Sequence, residues 1–100
     1  MSGQKESEKL IEKKLVNGIK KLGGLCLKLP AVHMTGLPDR LCLLPKGKLF
    51  FAELKTTGEK PRKIQTYVHN RLKNLGFRVE VIDNTEKINK LIFEYENNDL

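Results

Sequence analysis

Arg40-Leu41-Cys42-Leu43-Leu44-Pro45-Lys46-Gly47-Lys48-Leu49-Phe50-Phe51-Ala52-Glu53-Leu54-Lys55 is a pair of apolar runs divided by a Pro-Lys-Gly tripeptide. Leu41 to Leu44 and Lys48 to Ala52 have the composition of strands, and Pro45-Lys46-Gly47 that of a three-residue hairpin loop ending in a left-handed glycine. Pairing Leu44 with Lys48 sets the register. Counting outward, Arg40 faces Ala52 and Asp39 faces Glu53, so two carboxylates lie side by side at the open end of the hairpin. Like charges directly opposite each other are destabilising unless a cation neutralises them. Lys55, two residues beyond Glu53, points to the same face as the strand continues and adds an ammonium group.

The flanking sequence supplies the rest of a sheet and its cover. Ser7 opens a helical stretch whose apolar positions Ile11, Leu15, Ile19 and Leu22 recur at helical spacing, and Gly23-Gly24 closes it. Leu25 to Leu29 reads as a short strand stopped by Pro30, and residues 31–38 read as a loop leading straight into Asp39. After the hairpin, Pro61 stands at the first turn of a second helix, Pro61 to Asn74. Its expected apolar face is Ile64, Tyr67, Val68, Leu72 and Leu75, with Arg71 among them. Phe77 to Ile82 reads as a fourth strand. Asp83, with Glu86 three residues on, reads as the cap of a last helix whose apolar face is Ile88, Leu91, Ile92 and Tyr95, before a frayed tail over 96–100.

The order is therefore α-β-β-β-α-β-α. A strand, a helix and a second strand in succession form a right-handed unit with parallel strands, so the expected fold is α/β: a mixed sheet flanked by helices. With 100 residues and no linker or repeat, the chain is expected to be one domain, 1–100.

Composition narrows the setting. The apolar fraction is 39%, with no run near the roughly 20 residues of a membrane helix. Met1 to Lys14 lacks the apolar centre of a signal peptide, so a cytoplasmic location is expected, the bacterial host cytosol if a phage encodes the chain. Cys26 and Cys42, both in apolar strand segments, are expected to be reduced, buried thiols. Nineteen basic against twelve acidic residues give a net charge of +7 without a low-complexity basic tail, which suits a folded surface for a polyanion. His33 and His69 read as solvated or locally bonded histidines. Aromatic residues such as Tyr67, Phe77 and Phe93 read as core or boundary positions rather than as a base-stacking row.

A hard cation such as Mg²⁺ takes oxygen ligands and retains several waters, so Asp39, Glu53 and the Leu54 carbonyl would suffice as the protein's share. Such an ion polarises a phosphoryl oxygen and acidifies a bound water, while Lys55 balances charge in the transition state. A helical carboxylate could complete the set. Glu12 and Glu8 lie one turn apart and both project toward the apolar side of the first helix.

Taken together, Glu12, Gly36-Leu37-Pro38-Asp39-Arg40, Phe51-Ala52-Glu53-Leu54-Lys55, Gly58 to Gln65, Leu75-Gly76-Phe77 and Val81-Ile82-Asp83 resemble the VRR-NUC domain of the PD-(D/E)XK nuclease superfamily. The resemblance spans nearly the whole chain. It implies a restriction-endonuclease-like fold, dependence on Mg²⁺ or Mn²⁺, and hydrolysis of DNA phosphodiesters, often at branched structures such as Holliday junctions or flaps. By position, Asp39 and Glu53 resemble the metal-binding acids, Lys55 the motif lysine, Glu12 the helix acid with Glu8 as its alternative, and Gln65 the glutamine of the following helix. Chains of this size resemble stand-alone phage or bacterial nucleases, for which a homodimer is expected, since symmetrical cuts need two sites about a two-fold axis. The competing readings are a DNA-binding module without catalysis and a regulatory subunit that keeps the fold.

Overall fold

Ser7 starts the first helix because its hydroxyl accepts the free N–H of Leu10, at 3.2 Å. The computed structural model describes residues 4–30, 32 and 34–97. The elements follow the expected order: α1 (Glu8–Lys21), β1 (Leu25–Lys28), β2 (Arg40–Leu44), β3 (Lys48–Leu54), α2 (Lys63–Asn74), β4 (Val79–Ile82) and α3 (Thr85–Glu96). They build a four-stranded sheet of order β1-β2-β3-β4, antiparallel except for the parallel β3–β4 pair. The hairpin register is the expected one, running from Leu44 opposite Lys48 to Arg40 opposite Ala52. His33 and residues 98–100 of the predicted frayed tail lie outside the described residues. Among the described residues no helix is long and apolar enough to cross a membrane.

Alternation along the strands divides the sheet into two unlike faces. Cys42, Leu44, Phe50, Ala52, Leu54 and Ile82 point to one side and close the main core with Ile11, Leu15 and Ile19 of α1 and Ile88 and Leu91 of α3. The opposite face carries Leu25, Leu27, Leu41, Leu43, Leu49 and Phe51, and then Glu53 at the end of β3. There α2 packs toward β4. Leu25 and Leu27 are left well exposed on the edge strand.

Several local expectations are corrected. The second helix begins at Lys63, not Pro61: Arg62 is its cap, and the Arg62 N–H is taken by the Gln65 side-chain oxygen at 2.8 Å. Its buried face is Gln65, Val68 and His69, whereas Ile64, Tyr67 and Leu75 are exposed. The face is turned because the helix covers a polar site as well as apolar side chains. The last helix is capped by Asn84, which accepts the Lys87 N–H at 2.8 Å, while Asp83 instead accepts the Gly58 N–H at 3.0 Å. The strand before it starts at Val79 rather than Phe77. In the hairpin turn Lys46 joins Gly47 in the left-handed region, with φ of 67° and 75°. Phe50 stacks on Tyr95 and Phe51 meets Phe77 edge to face, but Phe93 and Tyr67 are mostly exposed. Cys26 and Cys42 are free thiols on paired strand positions, hydrogen-bonded to each other at 3.7 Å, with only the latter fully buried.

Candidate active site

The two acids at the open end of the hairpin do meet. Asp39 follows the buried Pro38, one residue before β2, and its Oδ2 accepts the backbone N–H of Leu54 at 2.8 Å. That bond ties the Asp39 carboxylate to β3 next to Glu53. The Glu53 side chain is only 2% exposed, and Lys55 Nζ stands 3.8 Å from its Oε2. Burial first, then the negative charge of Asp39, pushes the Glu53 carboxyl up to about 7, opposed by the nearby Lys55. A buried carboxylate beside a second acid is stabilised when a cation arrives between them.

Helix α2 grips Glu53 from above. Gln65 is buried, and its amide is oriented without ambiguity: the Arg62 N–H can only donate, so the side-chain oxygen faces it. The NH₂ group is thereby aimed at Glu53 Oε2, 3.0 Å away. His69, one turn further, places Nε2 3.4 Å from the other oxygen, Oε1. Burial holds the imidazole below its usual pKa, so it is neutral at pH 7. This contact contradicts the expectation of a solvated or locally bonded histidine. The signal was present in the sequence, since any helical residue four positions after a site-facing Gln65 shares its face.

The two helix acids are separated by their partners. Glu12 Oε2 receives Arg40 Nε at 2.9 Å, and the same guanidinium donates to the Cys26 carbonyl at 3.2 Å. Glu12 is thus held at the start of β2. Glu8, largely exposed at the first turn of α1, has its carboxyl raised by partial desolvation and then by the charge of Asp39, with Lys55 opposing. The electrostatic neighbourhood of Asp39, Glu53 and Lys55 therefore contains Glu8. A strap fixes this end of α1: Glu6 N–H donates to Thr57 Oγ1 at 2.9 Å, Thr57 N–H returns to the Glu6 carbonyl at 3.1 Å, and Glu8 N–H reaches Thr56 Oγ1 at 3.3 Å. The Glu6 carboxylate accepts the Thr85 N–H at 2.7 Å and its hydroxyl as well.

The donor set fits a hard divalent ion. Among the described residues no three acidic, His or Cys side chains converge into a ready cage, but Mg²⁺ keeps waters and needs only one or two carboxylates. Glu53 Oε1 is a buried oxygen without a hydrogen-bond donor. Asp39 and Glu53 would hold the ion, with the Leu54 carbonyl and Glu8 as further oxygens.

Comparison with known proteins identifies the family. A scan against protein-family models finds no match. The chain is 44% identical over 79 residues to "Putative nuclease p44" of Acyrthosiphon pisum secondary endosymbiont phage 1, covering 79% of this chain and 85% of that one. A solved structure described as "VRR_NUC domain" superposes with a TM-score of 0.83 at 32% identity, over 90% of this chain and 99% of the other. The chain belongs to the VRR-NUC family of nuclease domains.

Proposed function

We propose that this nuclease is a Mg²⁺- or Mn²⁺-dependent endonuclease that hydrolyses DNA phosphodiesters and prefers branched DNA. The observation that carries the reading is the half-buried Asp39, tied to the Leu54 N–H beside the buried Glu53, with Lys55 Nζ 3.8 Å from the Glu53 carboxylate. Acids facing a phosphate backbone repel it, so a module built only to bind DNA has no use for them. A bound Mg²⁺ or Mn²⁺ supplies polarisation of the phosphoryl oxygen and a more acidic water. Asp39 and Glu53 hold that ion, and Glu8 adds an outer carboxylate from the first turn of α1. Lys55 balances charge that builds on the phosphate oxygens as the bond breaks. Gln65 keeps Glu53 in one orientation, and the +7 net charge draws the polyanion to the surface.

The proposed assembly is a homodimer that pairs the apolar sheet face around Leu25, Leu27, Leu41 and Leu43, which leaves exposed leucines on an edge strand. Two sites about a two-fold axis suit paired cuts on a branched substrate.

The test is incubation with duplex, flap, splayed-arm and four-way-junction DNA in Mg²⁺, Mn²⁺ or chelator. Cleavage that needs the metal and favours a branched substrate is expected, with Lys55→Ala folded, still binding DNA, and slower by about 100-fold or more. Failure of every DNA to be cut in either metal would sink the enzyme reading. Glu8→Gln and Glu12→Gln separate the helix acids. Glu8→Gln is expected to lower cleavage about tenfold or more, and Glu12→Gln to act mainly through the freed Arg40. The opposite ranking returns the role to Glu12.

A further inference from the structure

Glu53 Oε1 and His69 Nε2 are both buried, neither has a hydrogen-bond partner, and they lie 3.4 Å apart. Buried polar atoms are nearly always paired. Here an acceptor and a ring nitrogen face each other at a distance slightly longer than an ordinary N–H···O bond. With Gln65 Nε2 on Oε2 at 3.0 Å, α2 then presents one donor to each oxygen of the same carboxylate, from positions four residues apart.

We propose that His69 is a positioning residue of the active site, whose Nε2–H fixes Oε1 of Glu53 so that the carboxylate meets a divalent cation in a single orientation. The role rests on the reading of Asp39 and Glu53 as the metal-holding acids. It is distinct from that of Gln65, since each residue holds a different oxygen. Loss of His69 leaves Glu53 tethered through Oε2 alone and free to pivot about that bond. His69 itself touches neither cation nor substrate and acts only through Glu53.

The experiment has a metal-free arm and a metal arm. In chelator, a long-range ¹⁵N–¹H spectrum of the wild type is expected to place the His69 proton on Nε2 and to shift in Glu53→Gln. A proton on Nδ1, or a His69 resonance indifferent to Glu53→Gln, overturns the contact. Calorimetric titration with Mn²⁺ then compares wild type, His69→Ala and His69→Gln, together with the Mn²⁺ concentration for half-maximal cleavage. His69→Ala is expected to weaken Mn²⁺ affinity and raise that concentration in parallel, by about 10- to 100-fold. His69→Gln, whose amide N–H reaches the position of Nε2, is expected to recover most of the loss. Unchanged Mn²⁺ affinity in His69→Ala, or no recovery in a folded His69→Gln, overturns the positioning role. A wild type that binds no Mn²⁺ while keeping the Nε2 proton on Glu53 overturns the metal reading of the site, and the role with it, though not the contact.

Discussion

Burial and the charge of Asp39 act in the same direction on Glu53, and stability inherits a pH dependence from it. The folded carboxyl is raised to about 7 from an ordinary 4.5, so between those values the folded chain binds the proton more tightly than the unfolded one. Stability contributed by this group is therefore complete below about 4.5 and falls as pH rises toward and through 7. The loss is on the order of 3 kcal/mol in the absence of metal. His69, held below its usual pKa by burial, works the other way as pH drops beneath 6.5. Glu53→Gln isolates the carboxyl from that opposing effect. In chelator the melting temperature of Glu53→Gln is expected to match wild type near pH 5 and to exceed it increasingly up to pH 8. A difference that stays constant with pH would mean that Glu53 is charged throughout. Added Mn²⁺ is expected to stabilise wild type at pH 8 and to leave Glu53→Gln nearly unmoved, because the ion neutralises the buried carboxylate and a neutral amide offers it no charge.

Helix α2 is the element on which site and scaffold depend together, and a glycine fixes where it lies. Gly36 has φ of +96°, and a Cβ there would come within 2.7 Å of the Ile64 carbonyl oxygen and 2.9 Å of Val68 Cγ2. Gly36→Ala is thus expected to cost about 2–4 kcal/mol, from the left-handed backbone and from overpacking. Val68 lies between Gln65 and His69 on the buried face, so the displacement also loosens both from Glu53. Urea unfolding reads the first effect and cleavage by the still-folded variant the second; a loss under about 1 kcal/mol would show that the loop and α2 adjust freely. The same helix marks where sequence reading stops. Hairpin register, the cap at Ser7 and the face of α1 were legible because apolar period, turn residues and cap all agree. On α2 the period misleads, because Gln65 and His69 are polar and buried over Glu53 while Ile64 and Tyr67 are exposed. Glu8 and Glu12 share a stripe of α1, and the choice between them rests on Arg40, whose approach to Glu12 across the fold leaves no local pattern.

At the scale of the whole molecule, charge and apolar area oppose each other. Each chain carries +7, so two copies repel, while the exposed Leu25 and Leu27 extend a sheet face shared with the half-buried Leu41, Leu43, Leu49 and Phe51. Burying such a face between two copies is favourable in proportion to its apolar area, and a stable interface needs about 800 Å² from each partner. Salt screens the repulsion over about 10 Å at 0.1 M and leaves the apolar term intact. The proposed dimer is therefore expected to tighten as ionic strength rises. DNA binding by the same chain is expected to weaken over the same range, because phosphate contacts are driven by counterion release. Opposite salt slopes separate the two surfaces. Sedimentation velocity from 50 to 500 mM NaCl reads the first slope and DNA titration the second. Leu25→Glu with Leu27→Glu is expected to give a folded monomer at every salt concentration with the metal site intact. A dimer that survives the double substitution would move the interface off this face, and a wild type that stays monomeric at micromolar concentration would remove the dimer itself.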